Sequence, residues 1–130
     1  MKLIPCSESP DKHSSNDLSI FKHFTFIKRL GSSNSLGEQF EGVNGIVVQV
    51  DDNSETKVVK IINRDSTSEK ELYIICKLKN LQHITPIFSY AFGYLLSNRI
   101  PADWLKYIRN FPDNFTMSLE SQYLFIFMDY

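Results

Sequence analysis

Two runs of β-branched residues, separated by a cluster of turn formers, constrain this chain more than anything else in it. Ile46-Val-Val-Gln-Val50 and Thr56-Lys-Val-Val-Lys-Ile-Ile62 flank Asp51-Asp-Asn-Ser54. β-Branched side chains are stiff in a helix and pack well on a pleated surface, so both runs read as strands. Asp and Asn side chains hydrogen-bond their own backbone and favour a turn. Together the three segments predict an antiparallel hairpin, and the rest of the chain must fold against it.

A helix is expected next. Ser68 is the expected N-cap, and Glu71, three positions on, completes a capping box. Glu69 and Glu71 fall in the positive first turn, Lys77 and Lys79 near the negative end. Leu72, Ile75, Leu78 and Leu81 recur at helical spacing and make one apolar face. After Pro86 the period becomes two. Phe88, Tyr90, Phe92 and Tyr94 share a face opposite Ser89, Ala91 and Gly93, which predicts a strand with an aromatic face. Ser97 or Asn98, followed by Pro101, opens a short helix over Ala102 to Arg109 with Trp104, Leu105 and Ile108 as its buried side. Asn110 to Ser121 reads as a loop. Tyr123-Leu-Phe-Ile-Phe-Met128 is a continuous apolar run, suited to a strand buried on both faces. Upstream, Phe21 to Leu30 reads as a strand and Gly31 to Ser35 as a loop. The expected fold is α+β, an antiparallel sheet of about five strands packed on one main helix with a short extra helix. Residues 1–19 are expected to be a disordered polar tail, and 20–130 the folded domain.

The 130 residues suffice for one compact domain and not for two. Fourteen Lys and Arg stand against 15 Asp and Glu, a net charge of -1. That balance offers no basic patch for nucleic acid or an anionic membrane. No apolar run approaches the ~20 residues of a membrane span, and Met1-Lys2-Leu3-Ile4-Pro5 has no apolar core of a signal peptide. An intracellular setting, cytoplasmic or nuclear, is therefore expected. In it Cys6 and Cys76 would be reduced thiols, with no disulfides, and Cys76 a small core residue. His13, His23 and His83 are scattered with no second ligand at metal spacing.

Lys60 is the residue whose chemistry most needs a reason. A lysine inside an apolar strand can pack its stem while its ammonium meets phosphate oxygens or a carboxylate. Glu71 in the following helix can supply that carboxylate. Gly42 and Gly45 would let backbone N–H groups approach phosphate oxygens with no Cβ in the way. Each has a plain alternative: a solvated strand lysine, a helix-capping glutamate, a glycine turn in a hairpin.

Taken in order, these segments resemble the small N-terminal lobe of a eukaryotic-type protein kinase. Phe40-Glu41-Gly42-Val43-Asn44-Gly45-Ile46-Val47 resembles the last part of the kinase G-x-G-x-x-G-x-V pattern. Gly42 and Gly45 match its second and third glycines, Val47 matches its Val, and Phe40 stands where the first glycine would be. Leu30-Gly31 followed by Gly37 is a rival register. The Gly42/Gly45 register is preferred because the strand then runs from Gly45 through Val50, turns, and reaches Lys60 at kinase-like spacing. Val58-Val59-Lys60-Ile61 resembles V-A-I-K, and Glu71 resembles the helix glutamate that pairs with that lysine. Leu124 to Tyr130 resembles the fifth strand running into the hinge. By this resemblance Met128 is the gatekeeper, and Asp129 and Tyr130 begin the segment whose backbone faces adenine. The longer stretch between the fourth and fifth strands is similar to that of haspin-like and large-DNA-virus kinases. Gly45-Ile-Val with Val-Val-Lys resembles the poxvirus type.

The resemblance implies Lys60 and Glu71 as the catalytic pair. It implies Gly42, Gly45, Val47, Lys60, Met128, Asp129 and Tyr130 as the ATP-binding residues. No H-R-D-like or D-F-G segment occurs, and Ala91-Phe92-Gly93 lacks the Asp and precedes the hinge. The implied function is the ATP-binding lobe of a protein kinase, of Ser/Thr type, catalytically incomplete alone. ATP would bind weakly, and Mg²⁺ only with a large C-terminal lobe supplied. The implied partners are that missing lobe or another kinase, with no nucleic acid and no membrane. Two other readings stay open. One is a non-catalytic kinase-like module that docks on another kinase or lobe, and the other is an unrelated α+β domain.

Overall fold

The computed structural model describes residues 3–10, 18–30, 45–53, 55–78, 91–108, 111, 115, 117–118 and 120–129. A 3-10 helix, Leu18–His23, leads into β1 (Thr25–Leu30). Then come β2 (Gly45–Asp52), β3 (Glu55–Asn63), α1 (Ser66–Leu78), β4 (Ala91–Ser97), α2 (Ala102–Leu105) and β5 (Tyr123–Asp129). The strands form one five-stranded sheet in the order β1-β2-β3-β5-β4, with every pairing antiparallel. The chain is α+β, with two α-helices and a 3-10 helix among its described residues.

The hairpin forms as expected and runs slightly longer than its β-branched runs. Asp52 pairs with Glu55, which leaves two residues at the tip. Asn53 there has φ 49°, the left-handed region that Asn tolerates and that matches the twist of a tight hairpin. Thr56 Oγ1 donates to Asp51 Oδ1 at 3.2 Å.

Strand alternation splits the sheet into two covered faces. Ile46, Val48, Val50, Val59, Ile61, Leu95, Tyr123, Phe125 and Phe127 point to an aromatic core with Phe21, Phe24, Trp104, Ile108 and Phe115. There Phe21 meets Trp104 edge-on at 5.2 Å, and Phe115 stacks on Tyr123 at 5.7 Å. On the other face Ile62, Leu124, Ile126, Tyr94 and Leu96 pack beneath Leu72 of α1 and Ile4. Burial on both sides is what the apolar run of β5 predicted, and Leu124 to Phe127 are fully buried.

Several boundaries differ from expectation. Phe21 lies in the 3-10 helix rather than in the first strand, because its ring is drawn into the aromatic core against Trp104 and Phe125. The cap of α1 is Asp65. Its Oδ1 accepts from Ser68 N–H at 2.8 Å while its own N–H donates to Ser68 Oγ at 2.8 Å. The capping box therefore sits three residues upstream of the expected Ser68–Glu71 box. α2 is shorter than expected and begins after Pro101, with no side-chain cap. Ser97 instead bonds Arg99 through its hydroxyl. Of the expected aromatic strand face, Phe88 and Tyr90 lie outside the described residues, while Tyr94 is fully buried on the α1 side.

The expectation of no disulfides is overturned. Cys6 and Cys76 are joined, with their Cα atoms 5.6 Å apart, well within the reach of a disulfide. Their sequence separation of 70 hides the pairing. It is created when Ile4 bridges to Tyr94 on the edge strand β4 and α1 crosses the same face. Residues 3–10, in the stretch read as a polar tail, thus lie against the domain. No helix among the described residues is long and apolar enough to cross a membrane.

Candidate functional site

The pairing registers decide which residues share a face. Val47 on β2 lies directly opposite Lys60, and Ile126 on β5 lies opposite it on the other side. Val58, two residues before Lys60, is opposite Met128. Directly opposed Cβ atoms in a sheet sit about 5 Å apart. Val47, Val58, Lys60 and Met128 therefore form one contiguous patch on the α1 side of the sheet. Leu30, Val47 and Val58 are buried together there, with Met128 packed against them.

Lys60 rises from this patch with its side chain 13% exposed. Its ammonium forms a salt bridge with Glu71 Oε1 from α1. An ammonium carries three N–H donors, so a carboxylate partner does not exhaust it. The arrangement is a cation held at a fixed place beside a buried apolar patch. Such a group can meet an anionic ligand, with the partly buried Met128 as the most accessible apolar side chain of the patch, since Val47 and Val58 are 1% and 5% exposed.

α1 is aimed by its first turns. The Asp65 cap fixes where it starts, and Leu72, next to Glu71, anchors it in the apolar layer. Arg64, just past β3, reaches Glu69 through Nε at 3.3 Å. Two acid–base contacts thus tie the first half of α1 to β3 and its exit.

Gly45 opens β2 opposite Ile62. A Cβ at Gly45 would lie 2.5 Å from Ile62 Cγ2 and 3.1 Å from Lys60 Cε. Glycine here lets the lysine stem and Ile62 close over the strand, a packing reason beside the expected one. Asp129 ends β5, its backbone paired with Lys57. Gly42 and Tyr130 lie outside the described residues, as do Gly31 and Gly37 of the rival loop register. Val58 in the patch, Leu30 beside it, and Arg64 were not singled out from the sequence. A period-two count outward from Lys60 would have found Val58. Among the described residues no group of three or more His, Cys, Asp or Glu is placed to hold a metal ion.

A cavity of about 550 Å³ lies on another flank of α1, lined by Cys6, Pro10, Glu69, Tyr73 and Cys76 among others, and apart from Lys60. A second, of about 580 Å³, lies beside the aromatic core between Phe24, Phe26, Trp104 and Tyr107. No family model matches the chain, and no curated protein or solved structure does.

Proposed function

We propose that this chain is the nucleotide-binding N-terminal lobe of a protein kinase of Ser/Thr type. In this reading ATP lies against the Val47, Val58 and Met128 patch with its phosphates toward Lys60. Glu71 holds the ammonium in place, and the glycine segment ending at Gly45 covers the phosphates. One observation carries the reading. Lys60 and Glu71, nominated from separate motifs, meet in a salt bridge beside the patch where Gly45, Val47 and Met128 also fall.

The reading gives the lobe binding and positioning, and leaves phosphoryl transfer to a large lobe that supplies the base and the Mg²⁺ ligands. ATP would touch one side only and bind weakly. A nucleotide-dependent thermal shift tests it. At ATP tenfold above its dissociation constant, stabilisation is about 1.4 kcal/mol, or on the order of 5 °C for a domain of this size. The shift is expected in the wild type and absent in Lys60→Ala. Equal shifts in both would remove Lys60 from the site.

The second reading, a kinase-like docking module, draws on Tyr73 and Ile74 of α1, which are 60% and 59% exposed. Large apolar side chains set side by side in solvent are a common feature of a partner surface.

A further inference from the structure

Residues 3–10 form a strap fastened to the domain by several contacts. Ile4 N–H donates to Tyr94 O at 2.8 Å, and Tyr94 N–H donates to Ile4 O at 3.0 Å, extending the β4 edge of the sheet. The Tyr94 hydroxyl donates to Glu8 O at 2.7 Å, and Arg64 Nη2 donates to Pro10 O at 2.9 Å. Gly93 makes room for the strap, since a Cβ there would lie 2.7 Å from Leu3 Cβ. The covalent fastening is Cys6–Cys76.

We propose that Cys6–Cys76 is a redox clasp. Closed, it holds the strap and α1 together so that Glu71 stays on Lys60; opened by a dithiol reductant, it frees the strap and slackens α1. The bond acts on the second half of the helix, beyond the Lys60–Glu71 and Arg64–Glu69 contacts of its first half. Leu72 is its buried apolar anchor among the described side chains, whereas Tyr73 and Ile74 face solvent. Cys76 is one turn after Leu72 on the same face, and Glu71 is adjacent to Leu72, so the bond acts on the face that docks. Beside the burial of Ile4, three of the four strap hydrogen bonds named above are neutral, each individually modest.

Opening proceeds by thiol–disulfide exchange. A reductant thiolate attacks one cysteine sulfur, the S–S bond breaks, and the other sulfur leaves as a thiolate that takes a proton. The reductant's second thiol resolves the mixed disulfide. Cys6 and Cys76 end as thiols and the dithiol as its own disulfide. Both cysteines are only partly buried and line the cavity of about 550 Å³, which gives a reductant its approach. That the clasp tunes a nucleotide site rests on the kinase-lobe reading; the mechanical clasp does not.

The test compares the oxidised chain, the chain in dithiothreitol, and Cys6→Ser. Peptide mapping should find Cys6 linked to Cys76 in the oxidised sample. Hydrogen exchange at Ile4 and Tyr94 should accelerate about tenfold or more on reduction while β2, β3 and β5 keep their protection. Acylation of Lys60 by an N-hydroxysuccinimide ester should rise several-fold, on the order expected when an ion pair loosens, and Cys6→Ser should behave as the reduced chain. An absent bond, unchanged exchange and labelling, or loss of protection across the whole sheet would each overturn the clasp. The last of these would make the bond a structural staple. ATP thermal shifts in both redox states separate the two proposals. Redox-dependent labelling with no ATP shift in either state keeps the clasp and removes the nucleotide site. Equal ATP shifts with unchanged labelling do the reverse.

Discussion

Lys60 sits in a strand whose neighbours Val59 and Ile61 are fully buried, and Glu71 sets what that position costs. With side-chain exposures of 13% and 30%, neither partner is free to be solvated like a surface charge. Removing one leaves the other partly buried and uncompensated, which destabilises more than removing both. A double-mutant cycle with Lys60→Met and Glu71→Gln, read by urea denaturation, should return a coupling of about 1–3 kcal/mol. A coupling near zero would mean that the pair does not hold α1. Lys60 was legible because a charge inside an apolar strand stands out, and Glu71 because the resemblance pairs a helix glutamate with that lysine. Val58 was passed over because a β-branched residue in a strand looks like its neighbours, although its period-two offset from Lys60 puts it on the same face. The choice of cap was not legible. Asp65, Ser68 and Glu71 form two overlapping boxes in sequence. The structure uses the first, and Glu71 goes to Lys60 instead of its own helix end.

At the scale of elements, that choice is measurable. Asp65→Ala should cost about 0.5–2 kcal/mol by loss of the side-chain acceptor for Ser68 N–H. A silent substitution in chemical denaturation would return the cap to Ser68. The hairpin and β5 were legible because β-branching, a turn cluster and an unbroken apolar run are local signals. The Cys6–Cys76 bond was not. Two cysteines in a chain give one pairing and no spacing to read, and the contact depends on an edge pairing at Tyr94 that no local pattern encodes. Gly93 looked like the small face of a strand, and its use is to admit that strap.

The whole molecule is a sheet with two unlike sides. The aromatic side, built on Phe125, Phe127 and Trp104, has its layer of covering rings. The α1 side carries the salt bridge and the patch of Val47, Val58 and Met128. Composition and periodicity were enough for an α+β sheet on a main helix, because every strand carries its own signal. The order β3-β5-β4 depends on which edge β4 takes, and that is a tertiary choice. Nucleotide binding on the α1 side is open to backbone NMR of the oxidised chain titrated with ATP. Progressive shifts are expected at Gly45, Val47, Val58, Lys60 and Met128, and their loss in Lys60→Ala. Shifts confined to the cavity beside Cys6 and Cys76, or none at saturating nucleotide, would contradict it.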